Sequence, residues 1–295
     1  MSDWVFTSAL PEAEAISVHT RLEGFLEELG VATSLFEAGG ASPFWELSIY
    51  ATEENRGEVQ ALLAEQFAAL PFLEQLLPET DWVARSLEGL KPVRAGRFLV
   101  HGSHDRDARR VGDTAIEIEA GQAFGTGHHG TTAGCLEAIE AVLKRGRPQT
   151  MLDVGTGSGV LAIALAKRTR LPVVATDIDP VAVRIARSNA VDNGVGRLVR
   201  PVIAIGTRHS TIAQNAPYDL VVANILAGPL ARMARELSAM MAAGGTLILS
   251  GLLTHQRARI VSAYRTQGLI LSHAYPRGEW LTLAFSAPGH GAGRA

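Results

Sequence analysis

The sequence has very little cysteine. Its 295 residues include a single one, Cys135, which excludes an internal disulfide. The first residues, Met1 to Trp4, lack the basic segment and the long apolar segment of a secretion signal. These two absences predict a cytoplasmic protein.

Long apolar runs are also missing. The uncharged stretch from Leu237 to Leu253 is interrupted by Gly244, Gly245 and Ser250. A membrane-spanning helix needs about 20 consecutive, mainly apolar residues. The stretch therefore predicts the end of a helix followed by a strand, and no membrane association is expected. With 47% hydrophobic and 19% charged residues, the chain is typical of a globular protein long enough for two domains.

Basic residues are scarce at the start of the chain. Residues 1–81 carry 15 acidic and two basic residues, a net charge of −13, whereas the remainder carries 25 basic and 15 acidic residues, a net charge of +10. This asymmetry predicts an acidic module that attracts a basic partner and repels nucleic acid. A solvated acidic surface with no partner is the alternative interpretation.

The acidic part is predicted to be a small α+β domain over residues 1–86. Its pattern gives a strand, a helix, two strands around a turn, a second helix and a possible last strand, at Trp4–Leu10, Glu12–Leu29, Val31–Glu37, Phe44–Ala51, Arg56–Leu70 and Trp82–Ser86. This order suggests a ferredoxin-like arrangement. The mixed, basic residues 87–114 are interpreted as a linker.

The remainder, residues 115–287, is predicted to be a doubly wound α/β domain. Five apolar strands alternate with helices, at residues 151–154, 173–176, 199–203, 220–223 and 246–250. Leu269–Tyr275 and Trp280–Phe285 add a hairpin at one sheet edge, which makes seven strands. The glycine-rich residues 288–295 are expected to form a disordered tail.

A glycine-rich loop is the strongest functional signal. The apolar strand that ends at Val154 runs into Gly155, Gly157 and Gly159, and a helix is predicted from Val160. Glycines at such a turn let the backbone approach a ligand closely. A purely structural turn is the weaker alternative, because an acidic residue follows at the expected distance.

That acidic residue is Asp177, which ends the next strand 22 positions after Gly155. An acid there is where a doubly wound sheet holds ribose hydroxyls. The dinucleotide fingerprint G-x-G-x-x-G would place its third glycine at position 160, which is Val160. The G-x-G-x-G spacing instead resembles motif I of the S-adenosylmethionine-dependent methyltransferases.

Further segments resemble one family. They are Ala123 to Thr132 (A-F-G-T-G-H-H-G-T-T), Asp177 to Pro180 (D-I-D-P), Asn224 to Leu230 (N-I-L-A-G-P-L) and Ser250 to Leu252 (S-G-L). Together they closely resemble the ribosomal protein L11 methyltransferase (PrmA) family, over about residues 121–283. Gly130 stands where the family pattern is variable. The N-terminal unit is similar, more loosely, to the substrate-recognition domain of that family.

The resemblance implies a protein N-methyltransferase that uses S-adenosylmethionine. It implies a basic large-subunit ribosomal protein as substrate, methylated on lysine side chains and on its N-terminal amine. It places Thr132, Gly155, Asp177 and Asn224 at the cofactor. Further cofactor contacts are predicted from Phe124, Gly125, Thr131, Asp153, Gly157, Gly159 and Ile178. Asn224 is also predicted to be the catalytic residue, because it follows an apolar strand and so lies at the carboxyl edge of the sheet.

Alternatives stay open for several of these residues. Thr131 and Thr132 could cap a helix that begins at Ala133, and Asn224 could form a turn. His128 and His129 suggest a metal site, but no Cys or carboxylate stands nearby at ligand spacing, so no metal is expected.

Two other functions are kept as rivals. A non-catalytic module that senses the cofactor would need no ordered amine site. A methyltransferase for the exocyclic amine of a nucleobase would also use a strand-end asparagine. However, such enzymes stack the flipped base on an aromatic ring, and Ile225, Leu226 and Ala227 follow Asn224 here.

Overall fold

The computed structural model describes residues 3–29, 31–37, 44–77, 92–118 and 129–289. The chain divides into two compact units, Met1–Arg85 and Ser86–Ala295. Of the predicted tail, residues 290–295 lie outside the described residues. No helix in the described part of the chain is both long and apolar enough to cross a membrane.

The N-terminal unit has the predicted β-α-β-β-α-β order. Its elements are β1 (Asp3–Pro11), α1 (Glu12–Leu29), β2 (Ala32–Glu37), β3 (Phe44–Thr52), α2 (Arg56–Gln66) and β4 (Leu73–Leu77). The sheet order is β2-β3-β1-β4, and every neighbouring pair is antiparallel. Strand β4 at Leu73–Leu77 was not predicted from the sequence, and the strand predicted at residues 82–86 lies outside the described residues.

A separate hydrophobic core holds this unit together. Residues such as Leu22 of α1, Val59 of α2 and Ile49 of β3 are fully buried in one cluster. The two basic residues of the acidic region both lie over aromatic rings. The Arg21 guanidinium is 4.8 Å from the ring centre of Phe67, and that of Arg56 is 3.5 Å from the ring of Trp4. Both guanidinium groups therefore make cation–π contacts within the unit.

Residues 92–114, which the sequence suggested to be part of a linker, instead form much of a small sheet. Its strands are β5 (Val93–Ala95), β6 (Phe98–His101) and β7 (Thr114–Glu117), with a 3₁₀ helix at Ser103–Ala108. Phe98 is fully buried in the same core as the helices of the second unit. This burial makes the segment part of that unit, because exposing Phe98 would return a large apolar surface to water.

The large sheet has seven strands, as predicted. They are β8 (Met151–Val154), β9 (Val173–Asp177), β10 (Val199–Ile203), β11 (Tyr218–Asn224), β12 (Met241–Leu253), β13 (Ile270–Arg277) and β14 (Trp280–Ser286). The helices are α3 (His129–Arg145), α4 (Val160–Thr169), α5 (Pro180–Asp192), α6 (Ser210–Asn215), α7 (Ala227–Arg232), α8 (Ala234–Ala239) and α9 (Arg257–Arg265).

The strand order is β10-β9-β8-β11-β12-β14-β13. The first five strands in this order are parallel, and the C-terminal hairpin joins antiparallel, with β14 between β12 and β13. The chain moves outward from β8 to β10 and then returns to the other side of β8 at β11. Ligands bind in such sheets at the carboxyl ends of the strands beside this reversal.

Both faces of the sheet are covered. Along β11, Leu220 and Val222 belong to one core with α3 and α4, whereas Val221 and Ala223 belong to the other core with α7 to α9. Apolar residues at every position of a strand are typical of a parallel sheet with helices on both faces. Helices packed on both faces hold the strands in place, and the predicted site residues lie at the carboxyl ends of these strands.

Candidate functional site

The glycine loop lies at the carboxyl end of β8. Gly155, Gly157 and Gly159 have φ angles of 70°, 53° and 85°, a region that costs other residues about 1–2 kcal/mol. Space is also limited. A Cβ atom on Gly155 would overlap Cγ2 of Ile225, and one on Gly159 would lie 3.1 Å from Cα of Ala186. Both glycines are therefore required by backbone conformation and by their neighbours.

Asp153 connects the glycine loop to the helix that follows it. Its side chain is buried, and its Oδ2 accepts hydrogen bonds from Thr156 Oγ1 at 2.7 Å and from the Ala162 N–H at 3.0 Å. Its Oδ1 is buried and has no hydrogen-bond partner among the described residues. Burial raises the pKa of Asp153 to about 7, although the two hydrogen bonds act in the opposite direction.

Asp177 borders the loop on the side of β9. Its Oδ2 accepts a hydrogen bond from the Gly157 N–H at 2.9 Å, and its Oδ1 accepts one from the Asp179 N–H at 3.1 Å. The next residue, Ile178, is 66% exposed. An acceptor carboxylate beside an exposed apolar side chain, next to a bare backbone loop, suits a ligand with ribose hydroxyls and an aromatic base.

Asn224 borders the loop on the side of β11, where it is the last residue of the strand. Its Nδ2 donates a weak hydrogen bond of 3.4 Å to Thr131 Oγ1, across 93 positions of sequence. Helix α3 begins at His129 and not at Ala133. Thr131 and Thr132 lie in its first turn and are buried, so the alternative interpretation that they cap a helix beginning at Ala133 is wrong.

Some predicted residues cannot be placed. Phe124, Gly125 and His128 lie outside the described residues. Within the described residues, no three His, Cys, Asp or Glu side chains are grouped closely enough to hold a metal ion.

Sequence reasoning gave no role to Ile225, Ser250 or Thr282. Ile225 packs closely between the ends of β8 and β12. A Cβ atom on Gly155 would overlap the Ile225 side chain, and a Cβ atom on Gly251 would overlap the Ile225 carbonyl oxygen. Ser250 and Thr282 are fully buried hydroxyl residues in apolar strands. A polar residue inside a strand such as Leu281-Thr282-Leu283 is the sequence signal that could have identified them.

The fold and the site define the class of protein. A doubly wound sheet with an inserted antiparallel strand, a glycine loop at its reversal point, and an acid and an amide on the flanking strands are features of an S-adenosylmethionine-dependent methyltransferase.

Comparisons with known proteins identify the family. The family model for ribosomal protein L11 methyltransferase (PrmA) matches residues 6–288. The chain is 50% identical over 266 residues to the ribosomal protein L11 methyltransferase of Rhizobium rhizogenes, covering 89% of this chain and 90% of that protein. It is 46% identical to the protein of the same name from Allorhizobium ampelinum, covering 96% and 99%.

The comparison with solved structures also includes a relative named for the same substrate. The ribosomal protein L11 methylase of Lactobacillus delbrueckii subsp. bulgaricus is 29% identical with a TM-score of 0.60, covering 67% of this chain and 98% of that one. The chain therefore belongs to the ribosomal protein L11 methyltransferase (PrmA) family. This membership confirms the predicted methyltransferase fold and activity and the predicted cofactor, S-adenosylmethionine.

The two glycines Gly155 and Gly194 allow a matched test of the loop. Their φ angles are 70° and 71°, but a Cβ atom on Gly194 would have nothing within 4 Å. Both alanine variants should lose about 1–2 kcal/mol of stability from the backbone conformation. Gly155→Ala should also displace Ile225 and weaken cofactor binding at least about tenfold, whereas Gly194→Ala should bind normally. Urea unfolding and calorimetry measure both effects, and equal affinities would contradict the close approach at Gly155.

The raised pKa of Asp153 predicts a pH-dependent stability. The folded-state pKa of about 7 exceeds the unfolded value, so the contribution of Asp153 is present at low pH and is lost as pH rises through about 7. Asp153→Asn removes this titration. The variant should therefore gain stability relative to the wild type by up to about 1.4 kcal/mol per pH unit between about pH 5 and 7. Urea unfolding at several pH values measures the difference, which should not be constant.

Proposed function

We propose that this protein transfers methyl groups from S-adenosylmethionine to lysine side-chain and N-terminal amines of ribosomal protein L11. The observation that carries the proposal is the position of Asn224, at the end of the strand that pairs with β8 and directly beside the glycine loop. This arrangement brings an amide next to the loop expected to hold the cofactor. The relatives are named for the same substrate.

The chain's own residues fit the cofactor. The glycine loop leaves its backbone bare, the Asp177 carboxylate can accept hydrogen bonds from ribose hydroxyls, and Ile178 offers an apolar surface to the base. The orphaned Oδ1 of Asp153 lies under the loop. We assign the same function of holding the cofactor to Phe124, Gly125, Thr131, Thr132, Gly155, Gly157 and Gly159. When bound, S-adenosylmethionine supplies a methyl group already activated by its positively charged sulfur.

Asn224 would orient the incoming amine. Its carboxamide oxygen can accept a hydrogen bond from the amine N–H and so direct the nitrogen lone pair toward the cofactor. A lysine amine has a pKa of about 10.4, so its deprotonation at pH 7 costs about 4–5 kcal/mol. Apolar neighbours such as Ile225 and Leu226 disfavour the charged ammonium and lower this cost. The released proton passes to water, so no dedicated base is required.

The acidic N-terminal unit would dock the protein substrate. Seven of its acids are exposed in the described residues, at Glu12, Glu14, Glu46, Glu53, Glu54, Glu58 and Glu65. Its described residues include two basic side chains, Arg21 and Arg56, and both lie over aromatic rings. The unit therefore presents mainly negative charge, which favours a basic protein and disfavours direct nucleic-acid binding. A ribosomal protein as substrate would place the enzyme in the cytoplasm.

Mass spectrometry tests the proposal directly. The protein is incubated with isotopically labelled S-adenosylmethionine, unmethylated large-subunit proteins and ribosomal RNA. We expect label on amines of L11 alone. Label in RNA would support the nucleobase alternative instead, and binding of the cofactor without any transfer would support a sensing module.

A further inference from the structure

We propose that Ser250 and Thr282 are positioning residues that set the orientation of the Asn224 amide through Thr131. This inference rests on the proposed function of Asn224. It concerns two side chains behind the site, in β12 and β14, that reach Asn224 only through the first turn of α3.

The three residues form a directed chain of hydrogen bonds. Ser250 Oγ lies 3.2 Å from the carbonyl oxygen of Thr131 and 2.6 Å from Thr282 Oγ1. A carbonyl oxygen can only accept, so the Ser250 hydroxyl donates its hydrogen bond to the Thr131 carbonyl oxygen. Ser250 then has only lone pairs to offer, and Thr282 must donate to it. The Thr131 carbonyl thus fixes the direction of the chain, and the Thr282 hydroxyl is its first donor.

Burial makes this chain costly to break. Ser250 and Thr282 are 0% and 1% exposed, and Thr131 is 3% exposed. Water cannot replace a lost partner at such a site, so an unpaired hydroxyl or carbonyl would keep its full desolvation cost. The chain therefore holds the first turn of α3 in one place relative to β12 and β14.

Close packing supports the same contact. Gly130 and Gly134 lie one helical turn apart on α3 and face β14. A Cβ atom on Gly134 would overlap Thr282 Oγ1, and one on Gly130 would lie 3.0 Å from Cδ1 of Trp280. The helix thus lies directly on the strand, with no side chain of its own between them at these two positions. Thr131, which follows Gly130, is fixed by this contact.

The consequence for Asn224 is chemical. Its Nδ2 donates to Thr131 Oγ1, and a carboxamide has its oxygen on the opposite side from its nitrogen. With Nδ2 held by Thr131, Oδ1 is the atom left for an incoming amine. If the amide were free to flip, Nδ2 would point a donor at the amine and repel its N–H groups. Thr282 and Ser250 therefore act on the reaction without touching substrate or cofactor.

Three variants test the inference in the full-length protein. Thr282→Val keeps the shape but removes the hydroxyl, and should lower kcat about tenfold while leaving cofactor affinity within about twofold. Thr282→Ser keeps the hydroxyl and should restore kcat. Thr169→Val is the matched control, because Thr169 is also buried and donates a hydrogen bond of 2.7 Å to the Leu165 carbonyl in α4. It should change stability but not kcat.

A double-mutant cycle separates positioning from a general structural role. In an Asn224→Ala background, Thr282→Val should have no further effect on single-turnover rate, because its action passes through Asn224. An equal loss in both backgrounds, or an unchanged kcat for Thr282→Val, would overturn the inference. If Thr282→Val does not fold, Ser250→Ala takes its place in the same cycle. Wild-type turnover of Asn224→Ala would instead overturn the proposed function of Asn224 itself.

Discussion

Replacing Asn224 by alanine is expected to lower kcat about 100-fold, the scale on which a misplaced reactant slows an enzyme. S-adenosylmethionine affinity should change less than about threefold, because the carboxamide acts mainly on the incoming amine and mainly in the transition state. Single-turnover methylation of L11 measures the first quantity, and calorimetry measures the second. Parallel losses in both would mean that Asn224 serves chiefly to hold the cofactor.

The Asn224→Asp variant tests whether the side chain at position 224 contacts the amine. Aspartate keeps an acceptor oxygen at the end of β11 but adds a negative charge and loses the donor to Thr131. A carboxylate stabilises the protonated ammonium and raises the pKa of the amine. The variant should therefore be slow at neutral pH, and its rate should rise at higher pH than the rate of Asn224→Ala. Identical pH profiles for the two variants would argue against contact with the amine.

Removing the acidic unit is expected to have the second large effect. A chain that begins at Ser86 should fold, because the residues of its two cores start at Val93 and the N-terminal core ends at Phe72. Its net charge would change from −3 to +9, since residues 1–85 carry 15 acids and three bases. A positive enzyme repels a basic substrate, so kcat/KM for L11 should fall at least about tenfold while cofactor affinity is retained.

Salt dependence provides the internal check on this prediction. Exposed charges are screened beyond about 8 Å at physiological ionic strength. For the full chain, kcat/KM should fall as salt rises, with cofactor affinity nearly constant. A full-length variant with Glu54, Glu58 and Glu65 replaced by glutamine should show a weaker salt dependence, because all three carboxylates are exposed. Full activity of the truncated chain would show that the acidic N-terminal unit does not dock the substrate.

Sequence patterns located most of the regular structure of the second unit. The parallel strands are recognisable because they are buried on both faces and so read as short apolar runs between helices. The glycine loop is recognisable because its left-handed backbone costs other residues about 1–2 kcal/mol at each position. The strand ends then place Asp177 and Asn224 on either side of that loop, since carboxyl ends of parallel strands share one edge. These features are local, and local sequence suffices to predict them.

The sequence pattern did not predict the shorter elements. Strands β5 and β6 have three and four residues, too few for a periodic pattern to emerge, and their basic composition suggested a linker. Helix α3 begins four residues before the predicted start. In both cases burial against a distant segment, and not local preference, decides the structure.

By itself the sequence determined the class of fold, the position of the glycine loop and the family to which the chain belongs. Only the tertiary structure decided which atom Asn224 presents. The reason is that the hydrogen bonds from Asn224 to Thr131 and from Ser250 to Thr131 join residues 93 and 119 positions apart. Such contacts exist only once the sheet has brought β11, β12, β14 and the start of α3 together, because no local pattern along the chain encodes them.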